Sequence, residues 1–180
     1  GRFFREGLRA FFVAVPSVDG STLFASLSHE YEMMGAGLWP IIAVDLAKAS
    51  AGEEAILWRF QRTGVWATFG SLAVSEDLLY AESGNGLFLA LDRQTGREIW
   101  RRDSLTQTAY FTSPTIIGDR VFFGTDDGYL YVYARGSEAK CLGCFEFDDP
   151  VSGTPIIVDD TLYITTSRYA WALHLPQELR

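Results

Sequence analysis

The 180 residues are 48% hydrophobic, 14% aromatic and 21% charged, with 15 Lys and Arg against 23 Asp and Glu for a net charge of −8. This much apolar material excludes intrinsic disorder, and no run of about 18 apolar residues offers a membrane-spanning helix. The acidic surplus, relieved only by the doublet Arg101-Arg102 ahead of Asp103, excludes nucleic acid as a partner.

In chain order, Gly1 to Val15 scatters arginines among phenylalanines instead of setting a basic start before an apolar run, so no signal peptide is expected. Residues 1–10 read as a connector, with Phe11-Phe12 entering the first strand. Val15 to Phe24 gives a short apolar strand, a polar turn and a second apolar strand. A long loop, His29 to Leu38, follows, then Ala43-Val-Asp45 and, after an insertion, Trp58. The strand–turn–strand pattern returns at Ser71, Pro114 and Pro155, spacings of 43 and 41, while the first copy precedes the second by 56. The clearest unit places strands at Ser71–Val74, Leu78–Glu82, Leu87–Asp92 and Arg97–Arg102. Ser83-Gly84-Asn85-Gly86 forms a hairpin turn between the second and third, since Asn-Gly accepts positive φ. In the next unit Asp126-Asp127-Gly128 plays that part ahead of Tyr129 to Tyr133. A period of about 40 to 50 residues holding four short strands predicts an all-β fold, a β-propeller. The units span about 11–62, 68–103, 111–148 and 152–174, with 175–180 as a tail.

Ala90-Leu-Asp92-Arg-Gln-Thr-Gly96-Arg-Glu-Ile-Trp100 is the strongest motif. Asp92 can accept the amide hydrogens of the turn beyond it, Gly96 can take the left-handed conformation, and Trp100 can fill the wedge between neighbouring blades. Ala43, Asp45 and Trp58 form a looser copy. The third unit lacks Asp, Gly and Trp, and the fourth stops at Ala172-Leu173-His174 before any outer strand.

With its Ser-Pro and Asp-Gly hairpin, this motif resembles the pyrroloquinoline-quinone-type propeller repeat, over roughly Phe11 to Leu173. That family contains quinoprotein dehydrogenases and non-catalytic members, including a lipoprotein of the outer-membrane β-barrel assembly machinery. The resemblance implies a partial propeller of three complete four-stranded blades plus a partial fourth. Such a set cannot close, so it is expected to be the C-terminal part of a larger propeller whose missing strand comes from far upstream. Pairing with another copy or chain is the alternative. Cofactor-binding relatives use adjacent cysteines, a stacking Trp and Glu, Asn and Asp ligands to Ca²⁺. No such set can be carried over here, so neither quinone nor calcium is expected unless the missing blades supply the site.

Among candidate chemical groups, Cys141-Leu-Gly-Cys144 lacks the His that haem attachment needs, since Phe145 stands there, and lacks two further zinc ligands. On an extended strand residues three apart lie about 10 Å apart, beyond the roughly 7 Å that a disulfide spans, so two free thiols are expected, with Gly143 leaving a disulfide open. His29, with Glu30 and Glu32, matches no ligand spacing; as a protruding loop, His29, Met33, Met34 and Trp39 suit contact with a protein partner. Asp126-Asp127, Asp148-Asp149 and Asp159-Asp160 read as solvated turns, and no catalytic arrangement emerges from the spacings. The resemblance thus implies a non-catalytic scaffold or protein-interaction module on the periplasmic or extracellular side of a bacterium. The alternatives are the C-terminal segment of a quinoprotein dehydrogenase and a small subunit of a membrane-associated complex.

Overall fold

The computed structural model describes residues 10–11, 14–26, 28–29, 39–62, 70–104 and 112–175, with backbone alone at 10, 11, 28, 29, 39, 40 and 61. Strands β1 (Ala10–Phe11) and β4 (Ser28–His29) form a two-stranded ladder. The first blade is β2 (Ser17–Asp19), β3 (Thr22–Ser26), β5 (Trp39–Asp45) and β6 (Ile56–Arg62) in that spatial order. The second follows as β7 (Ala73–Val74), β8 (Leu78–Ser83), β9 (Leu87–Asp92) and β10 (Glu98–Asp103). The third is β11 (Thr115–Ile117), β12 (Arg120–Gly124), β13 (Tyr129–Ala134) and β14 (Cys141–Glu146). The last sheet has three strands, β15 (Ile156–Val158), β16 (Thr161–Thr165) and β17 (Ala170–His174). All pairings are antiparallel, as a partial propeller of meandering blades requires.

Alternation along each strand divides the side chains between two seams. In β8 and β9, Leu79, Ala81, Leu87, Leu89 and Leu91 pack with Phe24, Ile41, Trp58 and Phe60 of the first blade. Leu78, Tyr80, Phe88 and Ala90 from the same strands pack instead with Val121, Phe123, Tyr131 and Tyr133 of the third. The third seam joins Phe122, Leu130 and Val132 to Leu162 and Ile164. Both faces of a central blade are therefore core, which is why neither alternating set reads as polar.

Three expectations are corrected. Phe11 belongs to the ladder with Ser28 and His29, not to the first blade's inner strand, which starts at Ser17. His29 is the end of a strand and not part of an open loop, and Trp39 opens β5 opposite Arg62. Both shift because backbone amides find ladder partners that a loop would leave to water. Met33 and Met34 lie outside the described residues. The insertion after Asp45 is a pair of 3-10 turns over Leu46–Ala55, interrupted at Gly52, where φ is 67°. Asp45 caps it by accepting the Ala47 amide at 3.0 Å.

Candidate functional site

Each outer strand carries the same irregularity. One extra residue, Leu57 in β6, Ile99 in β10 and Leu142 in β14, bulges immediately before the positions of Trp58, Trp100 and Gly143. The bulge aims the following side chain across the seam. Trp58 and Trp100 lie opposite Ala43 and Ala90 in the ladder, so each indole rests over a methyl group. Trp58 then donates Nε1–H to the Arg93 carbonyl of the next blade at 2.9 Å, and Trp100 does the same to Gly136 at 3.0 Å. Tyr80 reinforces the second seam by accepting the Gly136 amide at 2.9 Å, and Trp100 stacks on Tyr133 with centroids 5.7 Å apart.

The turn that receives Trp58 is built by the motif. Asp92 accepts from the amides of Gln94 and Thr95 and from the Thr95 hydroxyl at 2.7 Å. The Thr95 hydrogen bonds hold its carboxyl below the usual range. Gly96 has φ of 70°, and a Cβ there would stand 2.4 Å from the Trp58 ring. Glycine is thus required both by conformation and by the docked indole. Arg93 closes the first seam from the other side, pairing with Asp19 at 2.5 Å, reaching the carbonyls of Ser75 and Glu76, and lying over the Phe24 ring. Ala43, Trp58, Asp92 and Gly96 therefore meet at the first junction and Ala90 and Trp100 at the second, while Asp45 caps the insertion instead.

The third junction differs because Val132 and Gly143 occupy the places of Ala90 and Trp100. The outer strand offers no indole there: Leu142, Phe145 and Phe147 fill the seam, and the indole that reaches it comes from the last sheet, Trp171, with its centroid 5.4 Å from that of Phe147. Beyond it, the last sheet turns Ile156, Val158 and Tyr163 to solvent, 56%, 55% and 43% exposed. By register Val158 and Tyr163 stand where Ile117 and Phe122 stand in the third blade, and Phe122 is fully buried against a neighbour. The exposed flank thus carries apolar groups at positions that the third blade packs against its neighbour.

Two groups escaped sequence reasoning. Asp149 is buried, not solvated: burial raises its carboxyl, but hydrogen bonds from the backbone and side chain of Arg168, at 2.6 and 3.2 Å, and from Thr166 bring it below the usual value. Glu82 is 1% exposed on the seam between the second and third blades, where the repeat places Gly124 in the third. Among the described residues its Oε1 has no hydrogen-bond partner, while Oε2 lies 2.9 Å from the Thr112 hydroxyl, itself 2.9 Å from the Gly124 carbonyl. One hydroxyl hydrogen cannot serve two acceptors. The chain of bonds closes if Glu82 is protonated and donates to Thr112, which donates onward to Gly124. Burial pushes the Glu82 carboxyl well above its ordinary value, with Asp126 adding to the rise. A carboxylate aligned with a glycine of the next repeat was the signal available in the sequence.

Cys141 and Cys144 are free and exposed. Among the described residues no three His, Cys, Asp or Glu side chains gather closely enough to hold a metal ion, and no helix is long and apolar enough to cross a membrane.

Residues 42–141 match the family described as Outer membrane protein assembly factor BamB. The protein of that name from Shewanella oneidensis is 27% identical over 110 residues, which are 61% of this chain and 26% of the relative. The chain thus spans about a quarter of the length of the curated relatives it matches. BamB from Moraxella catarrhalis superimposes with a TM-score of 0.70 at 17% identity, covering 91% of this chain and 46% of that one. Quinohemoprotein alcohol dehydrogenase from Comamonas testosteroni shares the fold at 0.66 and 14% identity, over 88% and 30%. With more than half its length inside the matched region, this chain belongs to the family of the outer membrane protein assembly factor BamB.

Proposed function

We propose that this chain is a segment of a non-catalytic propeller scaffold on the periplasmic side of a bacterial outer membrane, serving the assembly of outer-membrane proteins. The observation that carries the reading is the open flank of the last sheet, where Val158 and Tyr163, with Ile156 beside them, expose positions whose counterparts Ile117 and Phe122 in the third blade are packed against a neighbour. A surface of this kind is covered by protein in a working molecule. The family membership supports the assembly role, and the seams are filled by structural side chains instead of polar groups converging on a substrate. The flank is covered by further blades of the same propeller, and the segment from His29 to Trp39 meets a protein partner.

Deleting the gene should lower the amount of folded β-barrel protein in the outer membrane while leaving quinone-dependent alcohol oxidation unchanged. Unaltered barrel levels would overturn the assembly role. In the full-length protein, with Cys141 and Cys144 replaced by serine, Tyr163→Cys should resist maleimide until the protein is unfolded. Equal labelling before and after unfolding would show that nothing covers the flank.

A further inference from the structure

In each complete blade the second, third and fourth strands set three residues side by side on one face. The rows are Phe24–Ala43–Trp58, Tyr80–Ala90–Trp100 and Phe122–Val132–Gly143. Adjacent strands lie about 4.8 Å apart, so the outer members of a row start roughly 10 Å apart at the backbone. In the first two rows the rings nonetheless approach, to centroid distances of 6.1 Å for Phe24 and Trp58 and 6.0 Å for Tyr80 and Trp100. They lean toward each other over the residue between them, and a methyl group leaves the room for it. The third row shows the other solution, a branched Val132 where the outer strand brings only Gly143. The size of the middle residue and the ring on the outer strand thus go together.

The last sheet carries two members of such a row. Tyr163 pairs with Ala172, and among the described residues β17 has a ladder partner on one side only. By register these are the places of Tyr80 and Ala90. Tyr80 and Ala90 are fully buried in the seam that Trp100 enters, whereas Tyr163 and Ala172 are exposed. An aromatic residue beside an alanine is the combination that accepts a ring, unlike Phe122 beside Val132. Tyr80 also accepts the Gly136 amide of the next blade at 2.9 Å, a bond that Tyr163 has the hydroxyl to repeat and Phe122 does not.

Resting on the reading of this chain as part of a larger propeller, we propose that the edge of β17 binds an antiparallel strand of the same polypeptide that sets a tryptophan opposite Ala172. Tyr163 and Ala172 are the residues that select it. The indole closes over the Ala172 methyl and against the Tyr163 ring, burying both, while the strand takes up the backbone groups along Ala170–His174. BamB from Moraxella catarrhalis has more than half its length outside the part that this chain covers, so that relative has the extra polypeptide such a strand needs.

The test uses the full-length protein and changes of side-chain size, read as thermal midpoints. Ala90→Val, under Trp100, sets the loss expected when a branched side chain is forced beneath an indole. Ala172→Val should lower the midpoint by a comparable amount, although valine suits an open strand better than alanine. Each tryptophan beyond the 180 residues is then replaced by glycine, alone and together with Ala172→Val. One of them should couple to Ala172→Val, the pair losing less than the sum of the single changes, as Ala90→Val should with Trp100→Gly; the others should add. The midpoints should not depend on protein concentration. Ala172→Val without effect, no coupled tryptophan, or a midpoint that climbs with concentration because the ring comes from a second chain would each overturn the proposal. Tyr163→Cys still shielded from maleimide alongside such a result would show the sheet covered by something other than this ring, so failure of the ring and failure of the larger propeller read out separately.

Discussion

Replacing Glu82 with glutamine separates the charge of this buried group from its shape. The ordinary glutamate value is 4.5 and the folded value lies well above it, because burial penalises the carboxylate. Below the ordinary value both folded and unfolded chains carry the proton, and the stabilisation of the neutral acid is fully present. As pH rises, the unfolded chain releases its proton first while the folded chain keeps it, so stability falls until Glu82 ionises in the folded state. The slope is roughly 1 kcal/mol per pH unit for one such group. Glu82→Gln has no proton to lose, and its amide can donate to Thr112 in the same place. The two proteins should therefore be equally stable near pH 4.5, within about 0.5 kcal/mol for a near-isosteric exchange. The variant should gain on the unsubstituted protein with that slope from about pH 5 up to the pH at which Glu82 ionises in the folded state, and hold the gain above it. Urea unfolding at half-unit pH intervals, with the slope of each curve held as a check on compactness, reads the difference directly, and the other carboxylates cancel in it. Parallel stability curves would refute a protonated Glu82. A gain that ran the other way would mean that the carboxylate is the stabilised form and that Thr112 donates to it alone.

Trp100→Ala should lower stability by about 3 to 5 kcal/mol, whereas Trp100→Phe keeps most of the packing and loses about 1 kcal/mol with the hydrogen bond to Gly136; denaturant melts distinguish them. Gly118 and Gly96 both have positive φ, but only Gly96 faces a ring, so Gly118→Ala should cost about 1 to 2 kcal/mol and Gly96→Ala clearly more. The excess should vanish in a Trp58→Ala background, and equal costs in both backgrounds would dissociate Gly96 from the indole. Replacing residues 29–38 with a short Gly/Ser turn should abolish capture of the partner in cross-linked cell envelopes, and undiminished capture would remove that segment from the interface.

The fold was legible because the repeat states it several times. Asp92, Gly96 and Trp100 each have a local reason to be what they are, and the reasons show in spacing alone: a turn acceptor, a left-handed residue and a ring on the next strand. The docking partner of each Trp was not legible. The Arg93 carbonyl receives Trp58 and the Gly136 carbonyl receives Trp100, and backbone atoms 35 and 36 residues away leave no mark in side-chain pattern. The bulges were hidden for a related reason. One extra residue in a strand looks like a shift in apolar phase, and in β14 that shift decided where Cys141 and Cys144 point. Glu82 and Asp149 were misjudged or missed because a carboxylate's burial depends on what the neighbouring blade lays over it, here Thr112 and Arg168, and not on its own neighbours in sequence.

The unequal seams have a consequence for local stability. Strands β8 and β9 bury both faces, one against Trp58 and Phe60 and the other against Phe123 and Tyr131, with an indole hydrogen-bonded across each junction. Strand β16 buries Leu162 and Ile164 on one side and turns Tyr163 outward, and its junction has Gly143 where an indole would stand. Opening the last sheet therefore exposes roughly half the apolar contact per strand and breaks no such cross-seam bond. Local opening should cost much less there than global unfolding, since regions with few buried apolar contacts open first. Amide hydrogen exchange on this chain should show the β16 and β17 amides exchanging well before those of β8 and β9, with β12 and β13 nearer the slow group. In the full-length protein, with the proposed further blades over the outward flank, the β16 amides should slow toward the β8 rate. Identical protection of β8 and β16 in the chain studied alone would mean that the four sheets open as one unit, and that a seam with no indole hydrogen-bonded across it is as strong as one that has it.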